Sequence, residues 1–123
     1  MNAELFKSIK AELFDYCCGD WLDFGTALRL VAMALHAPND VAAIEETITV
    51  VLQLLEEGLF IVGELPDKGK KNFELWGGDI NELTKKIAKE CQRIKAQDRP
   101  NFSCDVCWFA LTPKGEQIAN DAR

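Results

Sequence analysis

Cys104 and Cys107 stand at C-x-x-C spacing, and the adjacent Cys17-Cys18 pair would complete four thiolates, the number a structural zinc ion takes. Such sites hold their cysteine pairs on turns. Here one pair falls at an expected helix end and the other inside an expected strand, where residues three apart point to opposite faces. No helix start follows Cys107 to lower a thiol pKa, so a redox pair is disfavoured as well. The cysteines read as buried side chains behaving as small apolar groups. His36 is the single histidine, too few for a His-based triad or a His-rich metal site. At the end of a helix it reads as a partner for the helix dipole. Gly77-Gly78 precedes a helix but lacks the glycine and lysine pattern of a phosphate loop. Carboxylates are plentiful, yet their spacing alone brings no two together on a substrate. The sequence therefore points to no catalytic residue, no metal, no cofactor and no enzymatic activity.

The elements that carry these residues follow from hydrophobic periodicity. Leu5, Phe6, Ile9 and Leu13 recur at helical spacing behind Asn2 as N-cap, and Gly19 ends that helix. Asp20 caps a second helix in which Trp21, Phe24, Leu28, Val31 and Leu35 repeat, and His36-Ala37-Pro38 stops it. A third helix opens at Asn39 or Asp40, buries Val41, Ile44, Ile48, Val51, Leu52 and Leu55, and closes at Gly58. Leu59–Leu65 and Asn72–Trp76 read as paired strands around an exposed turn at Pro66–Lys70. Asp79 caps a fourth helix with an apolar stripe of Ile80, Leu83, Ile87, Cys91 and Ile94. Cys104–Leu111 is a third strand, and Thr112-Pro113 starts a short terminal helix.

The chain has 123 residues, 48% hydrophobic and 28% charged. That is one ordinary globular domain with room for a core. No apolar run approaches the roughly 20 residues that span a bilayer, and the N-terminus has no secretory pattern. Five cysteines, an odd number, suit a reducing cytoplasm. The net charge of −6 is unevenly placed: −2 over residues 1–36, −6 over 37–65 with no base at all, and +2 over 66–123.

Three helices followed by a strand hairpin is the order of a winged-helix domain. Leu54-Leu55-Glu56-Glu57-Gly58-Leu59-Phe60-Ile61-Val62-Gly63 resembles a winged-helix third helix passing into its first wing strand. Trp108-Phe109-Ala110-Leu111-Thr112-Pro113-Lys114-Gly115-Glu116 is similar to a last wing strand running into a closing helix. The expected fold is thus α+β and winged-helix-like, one domain over 1–123. It has three N-terminal helices, a three-stranded antiparallel sheet, a helix inserted in the wing at about 78–97 and a short C-terminal helix. That enlarged wing, with Phe14-Asp15-Tyr16 and Gly19-Asp20-Trp21, resembles small bacterial proteins that include immunity proteins of contact-dependent growth inhibition. The resemblance implies a cytoplasmic inhibitor that binds a toxin domain.

Charge decides how the third helix could be used. In a DNA-binding winged helix it enters the major groove and needs bases for phosphates. Here its exposed side reads Asp40, Glu45, Glu46, Thr49, Gln53, Glu56 and Glu57, with no Lys or Arg. Acids on an exposed helix face are commonly only solvation. With the resemblance, they become a surface for a basic partner, the expected class being a nuclease toxin. Trp76, at the mouth of the insertion, is expected to be partly exposed and to serve as an apolar anchor. The alternative is a transcriptional regulator that binds DNA through Lys85, Lys89 and Arg93 on the fourth helix, with Lys86 and Lys95 beside them. That basic face could also pair with the acidic third helix, within one molecule or between two copies as a homodimer.

Overall fold

Leu5, Phe6, Ile9, Leu13 and Phe14 give the first helix, α1 (Ala3–Cys17), one apolar face, and Ile9, Leu13, Phe14 and Cys17 are buried. In this computed structural model, residues 3–17, 21–36, 40–64, 73–95 and 106–121 are described. The second helix begins later than its periodicity suggested. Leu22–Asp23 forms a short strand, β1, and α2 runs over Phe24–Leu35. Its N-cap is Asp23, whose carboxylate accepts from the Thr26 amide at 3.1 Å and the Thr26 hydroxyl at 2.6 Å. Trp21 therefore lies outside the helix; Asp20, the expected cap, is outside the described residues. α2 ends at His36, which adopts left-handed φ 51° and donates its amide to the Met33 carbonyl at 3.3 Å.

The third helix, α3 (Asp40–Glu56), buries Ala43, Ile44, Thr47, Val50, Val51 and Leu54 most deeply. This face is rotated from the expected stripe, whose Ile48, Leu52 and Leu55 are half-buried. Small Ala43 and Thr47 lie on the deepest side, and α3 packs against both α2 and α4 (Ile80–Lys95). The Thr47 hydroxyl needs no external partner, because it donates to the Ala43 carbonyl at 2.7 Å. Gly58, at φ +75°, closes α3: its amide bonds Leu55 O at 3.1 Å, and the Leu59 amide bonds Leu54 O at 3.0 Å. This is the paired Schellman arrangement that a left-handed glycine allows.

Among the described residues the sheet has four antiparallel strands, where three were expected. β2 (Phe60–Glu64), β3 (Glu74–Leu75) and β4 (Trp108–Leu111) join β1 in the order β1-β4-β2-β3. The added strand, β1, pairs Leu22 with Phe109 and Asp23 with Trp108. Two residues merging into a helix cap leave no alternation to read. β3 and β4 are shorter than their sequence patterns, and part of each pattern, including Cys104 and the 65–72 connection, lies outside the described residues.

Gly63 is required by close approach: a Cβ there would collide with the Glu74 carbonyl and the Phe73 ring. Phe73 also meets Trp21 at 5.7 Å between ring centroids. On the other face Phe60, Phe109 and Phe14 form a chain of tilted rings, with centroids 5.8–5.9 Å apart, at the centre of the core.

α5 (Pro113–Asp121) begins as its sequence predicts. Thr112 caps it, its hydroxyl oxygen accepting from the Gly115 amide at 3.0 Å. The same hydroxyl donates to Gly58 O at 2.6 Å, and the Thr112 amide donates to Leu59 O at 3.0 Å. One residue thus ties the last helix to the end of α3.

Candidate functional site

The outward face of α3 is a single line of exposed residues, Ala42, Glu45, Thr49, Gln53 and Glu56, separated by three or four positions. At 1.5 Å rise per residue it is about 20 Å long. Ala42 starts the line, and beyond it Glu45 and Glu56 flank Thr49 and Gln53. The Thr49 hydroxyl donates back to Glu45 O at 3.0 Å, which leaves its lone pairs outward. Glu46 is half-buried beside the line and Glu57 is exposed at its end. Asp40 is the first residue of α3, and its side chain lies outside what is described. Thr49, Leu52, Gln53, Glu56 and Glu57 surround an open depression of about 520 Å³. Glu56 and Glu57 stand at the negative end of the helix dipole, an unfavourable place for acids. Lys114 offsets this by donating from Nζ to Glu57 O at 3.1 Å.

Trp76 does not have the exposure expected of it. Only 7% of it is accessible. α4 turns back at Gly77-Gly78, and the Lys86 ammonium lies 4.3 Å from the Trp76 ring centroid. Its indole Nε1–H is buried and has no hydrogen-bond partner among the described residues. Neighbouring Leu75, by contrast, is 62% exposed. The alternation Phe73-Glu74-Leu75-Trp76 is the one sequence signal for this exposure, since it puts Leu75 on the face opposite Trp76. Between the end of α3, β2 and the start of α4 lies a second cleft of about 340 Å³, with Leu55, Val62, Trp76, Ile80 and Leu83 in its wall.

The basic face of α4 is exposed at Lys85, Lys86, Lys89 and Arg93. Two of these cations are engaged within the chain: Lys86 over Trp76, and Arg93 Nε with Glu90 Oε2 at 2.7 Å. The side chain of Lys95 lies outside the described residues.

The thiols sit in surroundings hostile to nucleophilic chemistry. Burial pushes the Cys91 thiol up to about 12, with the Glu90 charge adding to it. Cys107 is raised well above the ordinary thiol range, first by burial and then by negative charge at Cys91, Glu90 and Asp23. Cys17 is buried too. Cys18 and Cys104 lie outside the described residues, and with them the C-x-x-C spacing. Among the described residues no three His, Cys, Asp or Glu side chains converge as metal ligands, and no helix is long and apolar enough to cross a membrane. Comparison with family models, curated proteins and solved structures finds no match.

Proposed function

We propose that this chain is a winged-helix-like protein-binding domain that neutralises a cationic protein, the expected partner being the nuclease domain of a contact-dependent growth inhibition toxin. The observation that carries the proposal is the outward line of α3: acids and neutral polar groups from Glu45 to Glu56, and no cation in the helix. On the winged-helix reading α3 is the recognition element, and the strand order β1-β4-β2-β3 supports that reading. An acidic helix in this position repels phosphates. A protein that must itself bind a polyanion presents the complementary field, and attraction of that kind raises association rates by about 10–1,000-fold at low salt.

The test is co-purification of the tagged chain at low salt from its host cell. The expected result is a stoichiometric basic protein that is toxic when produced alone. Recovery of DNA with no protein would overturn the proposal. It would favour a second reading, a DNA-binding regulator, which rests on the exposed Lys85 and Lys89 of α4. That reading predicts affinity for random duplex DNA falling steeply with salt.

A further inference from the structure

β2 is five residues long, yet β3 pairs with it only at Gly63 and Glu64. Backbone groups alternate sides along a strand. Leu59 O accepts from the Thr112 amide on the β4 side, and Val62 O accepts from the Trp76 amide at 2.9 Å on the β3 side. Phe60, two residues before Val62, therefore turns its amide and carbonyl toward the β3 side, where the chain has already left for α4 through Gly77-Gly78. Phe60 is only 2% exposed, and this stretch of β2 lies buried in the wall of the 340 Å³ cleft. Leu55, Val62, Trp76, Ile80 and Leu83 bring apolar side chains to a cleft whose lining is about half polar, and exposed Leu75 extends it to the surface.

The rim is acidic. Glu56 is in the cleft wall, Glu74 is exposed next to Leu75, and the Glu82 side chain lies against Gly78. Asp79 is exposed beside Gly78 and accepts from the Glu82 amide at 2.9 Å. The cation at hand, Lys86, is held over the Trp76 ring.

We infer that this cleft is a docking site for an extended segment of a protein partner, a large apolar side chain flanked by Lys or Arg. The apolar side chain enters between α3 and α4, and the flanking cations meet Glu56, Glu74, Asp79 and Glu82. This rests on the cationic-partner reading and names the part of the partner that is gripped. Apolar side chains in the cleft favour a large apolar residue, while the acidic rim disfavours anionic sequences.

Random peptides of about eight residues displayed on phage, panned on the full chain with Leu75→Arg protein as counter-selection, test it. Leu75 is mostly exposed, so Leu75→Arg keeps the fold while placing a cation at the mouth. The expected consensus is an apolar residue between cations. The synthetic consensus peptide should shift the amide resonances of Phe60–Val62 and the indole N–H of Trp76, and Leu75→Arg should weaken it at least about tenfold, the scale of an interface anchor. Glu12→Lys, at an exposed position of α1, a helix that lends no residue to the cleft, should leave it within about threefold. No enrichment over Leu75→Arg protein overturns the inference. So does a consensus without cations, or resonance shifts confined to Glu45–Gln53; that last result would spare the acidic-helix proposal. Concentration-dependent broadening of the same Phe60–Trp76 resonances without peptide would assign the cleft to a second copy and also overturn it.

Discussion

A cysteine is chemically useful only as a thiolate, and the environment of Cys91 and Cys107 suppresses that form. With Cys91 pushed up to about 12, its thiolate fraction at pH 8 is on the order of one in ten thousand. In a Cys18→Ser/Cys104→Ser protein, we expect no reaction with Ellman's reagent at pH 8 until denaturant is added. Prompt labelling of a native thiol would contradict the burial described for Cys17, Cys91 and Cys107. The same shift has a consequence for stability. The unfolded chain loses this proton near the ordinary value of 9.0, while the folded chain keeps it to about 12. Above pH 9 the unfolded state binds fewer protons, so stability is full below that value and falls as pH rises toward 12. A melting temperature that stays flat from pH 8 to 11 would refute it. His36 carries a different kind of cost. Its left-handed φ of 51° is unfavourable for a side chain bearing Cβ, so His36→Gly should stabilise the protein by about 0.5–1 kcal/mol. Chemical denaturation gives the sign.

At the scale of elements, helices with long apolar periods were legible in the residues, and so were their punctuation marks. Gly58, Asp79 and Thr112-Pro113 do what their residue types predict, because capping depends on nearby backbone groups. What escaped was set by distant partners. β1 exists because Leu22 and Asp23 meet Phe109 and Trp108 across the sheet, and nothing in two residues announces that. The rotation of the α3 face, likewise, reflects packing by α2 and α4 on both of its sides. Trp76 is buried for the same reason: local sequence placed it at a chain break, while α4 folds back and sets Lys86 over its ring. The acidic stripe was readable because exposure on a helix follows from period alone, whereas the cleft is assembled from α3, β2 and α4. Thr112 offers a test of such long-range ties. Its hydroxyl both caps α5 and donates to Gly58 O at 2.6 Å. Thr112→Ala should cost about 1–2 kcal/mol, measured by urea unfolding. Thr112→Ser, keeping both bonds, should recover most of it.

For the whole molecule, the distribution of charge matters more than its sum. The net −6 is gathered on the segment that runs through α3 into β2, while α4 exposes Lys85, Lys86, Lys89 and Arg93. A field of this kind governs encounter with a charged partner and does little for the fold. Stability should therefore be nearly indifferent to charge reversal on the outward line of α3, where Glu45 and Glu56 make no ion pair with another described residue. Glu45→Lys/Glu56→Lys protein should melt within a few degrees of the parent chain, since exposed substitutions usually lie within about 0.5 kcal/mol. A large drop would mean that those acids support the fold.

The most direct measurement of the central claim is the association rate of the co-purified basic protein with the chain and with its Glu45→Lys/Glu46→Lys/Glu56→Lys variant, from low to physiological salt. The account predicts a rate at least about tenfold lower for the variant at low salt, a difference that shrinks as salt is raised, and an unchanged fold. Equal rates for the two proteins at every salt concentration would contradict it and remove α3 as the recognition surface.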